Sequence, residues 1–431
     1  MAYTKTILLA DISCSLSLLR RKALAWAQQF KLAASYTSND IPYPYHGFDD
    51  LIAVSNGQPI QWERENVFGE LQDKLKAKPA LWCGYLGYDL KNQVEKLNSH
   101  NANAIGFPDI FFFEPELYLH FNKSSLIISS KADNILVSLQ QILATPIPEN
   151  FSISPIQLQQ RVLKEDYIRN VERVRDYIRD GEVYELNYCM EFYAEEVKLP
   201  PLPLYLQLNT LSPTPFSGFL KYDDLYLLCA SPERFLKKEG SKLISQPIKG
   251  TIRRGATPKE DQQLQQQLRH DEKELAENMM IVDLVRNDLR RSCATGTIQV
   301  EEMFGIYGFR QVSQMISTIS GQLRPECSIA DALIGAFPMG SMTGAPKIRA
   351  MELIEELEVT KRGLYSGAFG YLKPDQDFDF NVVIRSLQYN ALTGYLSFMV
   401  GSAITYDSIP EQEYEECLLK AQGIRKALGL E

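Results

Sequence analysis

The stretch Phe235-Leu236-Lys237-Lys238-Glu239-Gly240-Ser241-Lys242-Leu243-Ile244-Ser245 decides the fold. Two strand-like runs flank Glu239-Gly240-Ser241, and so short a link between them reads as an antiparallel hairpin. The chain then runs into Gln246-Pro247-Ile248-Lys249-Gly250-Thr251, which sets one lysine between a proline and a glycine just past an ordered strand. There an amine can be aimed and its solvent shell thinned, and a lysine whose pKa is lowered in this way is a nucleophile. Taken alone, a lysine after a hairpin is an ordinary surface residue. Its neighbours along the chain change that reading.

Outward from the hairpin, strands recur. Residues 183–188 and 226–230 precede it, and a further cluster spans 363–405 with turns at 373–377 and 390–394. Those spacings are too short for helical crossovers, so the strands are expected to pair antiparallel. Tyr167, Val171, Val174 and Ile178 fall at helical intervals before Gly181. A long helix is expected from about 258 to 291, since no glycine or proline interrupts it, and a last helix over about 411–428. Runs at 117–121 and 126–128 suggest a mixed sheet in the first part of the chain. A proline-bearing polar stretch at 145–155 sets the expected boundary between an N-terminal region, 1–155, and a catalytic domain, 156–431. The predicted class is α+β, antiparallel sheets flanked by helices.

The 431 residues carry a net charge of −9, which argues against nucleic acid or an anionic membrane as partner. An anionic substrate then needs a local device: a metal ion, a helix N-terminus or convergent cations. Seven scattered cysteines without CxxC spacing speak against a disulfide framework or a zinc site. The start lacks a signal-peptide pattern and no apolar run reaches membrane-spanning length, so a cytoplasmic location is expected. With no histidine after His270, chemistry in the C-terminal part rests on carboxylates, lysine, arginine, tyrosine or a metal.

Glu274 and Glu277, three apart on the long helix, share a face, and Glu413 and Glu416 repeat the device on the last helix. Two such pairs suit Mg²⁺, which takes few carboxylates and keeps water. Most helical glutamate pairs are simply solvated, so spacing alone leaves both readings open. Pro338-Met339-Gly340-Ser341-Met342-Thr343-Gly344-Ala345-Pro346-Lys347 opens a helix expected through Glu356, with Pro346 in the first turn and amides that would suit a carboxylate. Arg385, alternating within the apolar run 380–387, is either an edge residue or a fork for a substrate carboxylate. Lys420 shares the face of Glu416.

The lysine motif, DEKELAENMMIVDLVRNDL (271–289), GSMTGAPKIRAMELIEELE (340–358), YSGAFGYL (365–372), FNVVIRSL (380–387) and EQEYEE (411–416) occur in this order. In that order they resemble the chorismate-utilising enzymes, strongly over 160–431 and more loosely before it. The resemblance implies the fold of the anthranilate synthase large subunit. It implies Glu277 and Glu416 as Mg²⁺ ligands, Glu274 and Glu413 holding metal-bound water, and the metal gripping the ring carboxylate of chorismate. Arg385 and Tyr365 then match contacts to the enolpyruvyl carboxylate. Thr251, Thr343, Gly344, Gly401, Ala403 and Lys420 match further substrate contacts, with Lys249 and Glu274 at the chemistry.

Within the family, Lys249 resembles the lysine of the aminodeoxychorismate synthase branch, where anthranilate synthases carry alanine. This implies a transaminase-class amination of chorismate at C4, through a covalent lysine intermediate, toward 4-aminobenzoate and folate; component I of anthranilate synthase is the alternative. Glu185 stands where isochorismate synthases place a lysine base and other relatives a glutamine. Gln314 stands for a histidine tied to pyruvate elimination, and Ala403 for a glycine. Cys83 lacks the small flanking residues of a glutaminase elbow, so ammonia is expected from a separate glutamine amidotransferase subunit.

Overall fold

The computed structural model describes residues 3–63, 66–148, 153 and 155–430. Among these residues the chain forms a twelve-stranded and a nine-stranded sheet, and every strand pair in them is antiparallel. The expected hairpin is present: Arg234–Glu239 pairs with Lys242–Gln246 in the smaller sheet.

The sheets lie face to face, and alternation along each strand explains why. In Leu32–Thr37, Leu32, Ala34 and Tyr36 enter a core shared with the other sheet, while Ala33 points to a helix-covered core. Leu227 and Cys229 likewise face the sheet–sheet core and Leu228 and Ala230 the helices, as a period of two requires. Tyr36 joins the layers: its hydroxyl donates to the Gly370 carbonyl at 2.6 Å and accepts from the Gly84 amide, and its ring stacks on Phe369. A third core packs helices Val67–Ala77, Glu272–Arg290 and Ile329–Ala336 on the outer face of the smaller sheet.

Both sheets draw strands from either side of the expected boundary at 155. Leu32–Thr37 pairs with Phe216–Tyr222, and Trp82–Leu86 with Ala368–Leu372. Part of the polar break at 145–155 lies outside the described residues.

Local expectations need four corrections. The long helix is two, Pro258–Arg269 and Glu272–Arg290; Asp271 caps the second by accepting from the Glu274 amide, so no glycine or proline is needed for the break. The strand expected at 183–188 starts at Glu185 and runs to Ala194. Pro346 is the N-cap of a helix over Lys347–Leu357, and its approach is tied down as a short strand, Gly344–Ala345, paired with Leu186 and Glu185. Arg385 is not within a strand. It sits at φ 50° where the chain leaves Phe378–Val382 in the smaller sheet for Ser386–Asn390 in the larger.

Candidate active site

Two crossings between the sheets run side by side. One carries Pro232 and Glu233 from Leu225–Ser231 into Arg234–Glu239, and the other carries Arg385. They are joined where the Val382 amide donates to the Glu233 carbonyl at 3.0 Å and the Ala230 amide to the Arg385 carbonyl at 3.3 Å. A cavity of about 1160 Å³ opens there. Of the residues expected at a site, Lys249, Thr251, Glu274, Glu277, Tyr365, Arg385, Gly401, Ala403, Glu416 and Lys420 line it. Thr343, Gly344 and Glu413 are not on its wall. Thr343 is fully buried with its hydroxyl donating to the Met339 and Gly340 carbonyls, and Gly344 pairs with Leu186 and lies against the Glu185 carbonyl.

Lys249 lies on its own strand, Ile248–Arg253, rather than past one. Gly250 follows it at φ 92°, a conformation that favours glycine, and a Cβ there would stand 3.1 Å from Glu274 Oε2, a tight contact with the acidic helix. Lys249 Nζ donates to Glu185 Oε1 at 2.5 Å. The expectation of a lowered pKa is overturned. Burial pushes the Lys249 ammonium down, but Glu185, Glu277 and Glu416 outweigh it and hold the group above its ordinary value.

Burial pushes Glu277 up to about 7 against the opposing charge of Lys249. Burial, and then the charge of Glu416, also raise Glu274. Glu416 is lowered because the Lys420 ammonium, 2.6 Å away, outweighs burial. Lys420 also donates to the Gly401 carbonyl at 2.9 Å. Glu413 accepts from Ser402 Oγ and from Lys273.

Among the described residues, no three His, Cys, Asp or Glu side chains form a ready-made cation cage. Glu277 Oε1 is nevertheless buried without a hydrogen-bond partner, with Lys273 3.7 Å away. An all-oxygen set from two helices, with one bare oxygen, fits a hard cation that keeps part of its water.

Arg385 brings a guanidinium to the wall with no carboxylate paired to it among the described residues, and burial lowers its pKa. Tyr365 is buried beside it, its hydroxyl approached by Cys189 Sγ. Sequence reasoning missed Glu233. It is buried on the cavity wall, accepts from Ser341 Oγ at 2.6 Å, and burial pushes it up to about 7 despite Ser341 and Lys249. The available signal was a charged residue after Ser231-Pro232, where one strand run ends and the next begins. Gln314 also lines the cavity and donates to Thr251 Oγ1 at 3.4 Å.

The family described as chorismate binding enzyme matches residues 25–426. Anthranilate synthase component 1 of Thermus thermophilus is 34% identical over 390 residues, 88% of this chain and 84% of that protein. A probable chloroplastic aminodeoxychorismate synthase of Oryza sativa subsp. japonica is 42% identical over 388 residues, 80% of this chain; the chain spans 43% of that relative's length. The crystal structure of anthranilate synthase component I from Streptococcus pneumoniae TIGR4 superposes with a TM-score of 0.75 at 29% identity, covering 91% of this chain and 92% of that one. The match runs through both sheets and both crossings that build the cavity, and on that ground the chain belongs to the chorismate-binding enzymes.

Proposed function

We propose that the chain is the chorismate-aminating component of an aminodeoxychorismate synthase, replacing the C4 hydroxyl with an amino group and keeping the enolpyruvyl side chain. The observation that carries this reading is a lysine amine, Lys249 Nζ, held on the wall of the cavity rather than in solvent. A second lysine, Lys420, and the Arg385 guanidinium, which has no carboxylate partner among the described residues, suit a dianionic ligand such as chorismate.

In this reading Arg385 receives the enolpyruvyl carboxylate, with Tyr365 beside it. Glu277 and Glu416 would hold Mg²⁺, with Glu274 and Glu413 in the surrounding shell; when bound, the ion supplies positive charge to the ring carboxylate. Lys249 bonds to ring C2 as both ring double bonds shift by one position and the C4–O bond breaks, and Glu233, protonated below about pH 7, gives its proton to the departing hydroxyl, which leaves as water. Ammonia then bonds to C4 and the lysine leaves C2. The ammonia would come from a separate glutamine amidotransferase subunit, in keeping with relatives named as component 1.

Mass spectrometry after incubation with chorismate, Mg²⁺ and ammonium tests this. The expected product carries nitrogen and retains the enolpyruvyl group. Anthranilate with free pyruvate would overturn it in favour of the anthranilate synthase reaction.

A further inference from the structure

The environment that holds Lys249 charged leaves one step without an agent: an ammonium cannot attack carbon. We infer that Glu185 is a catalytic residue, the proton acceptor that frees the Lys249 amine, an inference that rests on the covalent reading above. Glu185 is 1% exposed and begins the strand Glu185–Ala194 of the larger sheet, while Lys249 belongs to the smaller one. Their 2.5 Å contact therefore spans the two layers at the cavity. No other carboxylate forms an ion pair with Lys249 among the described residues.

Two features suit Glu185 to this role. Its backbone is pinned, because Gly344 crosses so close that a Cβ there would lie 2.1 Å from the Glu185 carbonyl oxygen. Its second oxygen, Oε2, is buried and accepts no hydrogen bond among the described residues. Buried ion pairs stay charged when further hydrogen bonds support them, and this one lacks such support on the acid. Filling the cavity with substrate removes the remaining water, and the neutral amine–acid pair becomes accessible by moving one proton over a short hydrogen bond. In that step an N–H bond of Lys249 breaks and an O–H bond forms on Glu185 Oε1. The lone pair released on nitrogen makes the bond to C2. When ammonia bonds to C4 and the lysine leaves C2, the amine departs neutral and recovers its proton from Glu185.

A glutamine at this position still accepts a hydrogen bond from Lys249 but takes no proton, so Glu185→Gln separates anchoring from base action. The experiment follows a single turnover of the full chain with chorismate and Mg²⁺ and no ammonia, quantifying the Lys249 adduct by peptide mass and chorismate affinity by calorimetry. Glu185→Gln is expected to bind chorismate within about twofold of the parent and to form the adduct ~10²-fold more slowly. Glu185→Ala is expected to regain rate with added formate, which fits the vacated carboxylate position. An adduct rate in Glu185→Gln equal to the parent's overturns the proposal and leaves the covalent reading standing. A loss of chorismate affinity matching the loss of rate would make Glu185 an anchor only and also overturn it. Amination by the parent with no Lys249 adduct sinks the covalent reading, and this inference with it.

Discussion

Glu233 and Arg385 sit on neighbouring crossings between the two sheets, the first bonded through its carbonyl to the Val382 amide and the second to the Ala230 amide. An acid and a cation on one wall are thus fixed by the same pair of strand exchanges, and the role proposed for each can be tested separately.

Arg385 occupies the left-handed region at φ 50°, which costs a non-glycine residue on the order of 1 kcal/mol. Arg385→Gly should therefore keep or raise the melting temperature. The KM for chorismate should rise at least tenfold, as expected when a charged hydrogen bond worth about 1.5–3 kcal/mol is lost. Steady-state kinetics beside a thermal melt checks both; an unchanged KM would remove Arg385 from the carboxylate site.

In the proposed mechanism Glu233 acts as an acid and must carry its proton, and burial raises its pKa to about 7. Its group is neutral below that value and ionised above it. Turnover should fall as pH rises through about 7, and Glu233→Gln should lose both activity and that descending limb. A pH–rate profile for the two proteins decides the matter.

Glu277 is raised to about 7 from an ordinary 4.5. The native state therefore binds more protons than the unfolded chain between those values, and stability should fall as pH rises through that window. Above pH 7 the penalty is complete, on the order of 3 kcal/mol. Glu277→Gln should melt higher than the parent at pH 8, with the gain gone below about 4.5. In the proposed reading Mg²⁺ should raise the melting temperature of the parent, and Glu277→Gln should lack that rise. Melts at two pH values, with and without the ion, are sufficient.

Lys249→Ala should abolish amination and also destabilise the protein, since it strands the buried Glu185 carboxylate. Breaking a buried pair from one side costs about 3–5 kcal/mol, and replacing both partners with apolar residues is often neutral. Lys249→Met combined with Glu185→Leu should thus recover most of the stability lost by Lys249→Ala, while remaining inactive. Denaturant unfolding of the three variants measures this; additive losses in the double variant would contradict it.

What the sequence made legible was local or periodic. The hairpin at 239–241 and the carboxylates three apart on each helix follow from turn chemistry and helical spacing, and both glutamate helices formed. The break at His270 was legible in principle through Asp271 and Glu274, a cap pattern hidden by the absence of glycine and proline. Arg385 was misread because Val382-Val383-Ile384 runs apolar up to the change of sheet, with no turn residue to mark a crossing between layers. Lys249 was assigned the wrong electrostatics for a similar reason. Its partner, Glu185, lies 64 positions away, beyond the reach of any spacing argument.

The interleaving of strands has a practical consequence for anyone dissecting the protein. A fragment beginning at 156 would lack the partners of Phe216–Tyr222 and Ala368–Leu372, leaving a row of bare amides and carbonyls along each. Such a piece should clump rather than fold, because the opening third of the chain supplies strands to both sheets and does not come away cleanly from the rest.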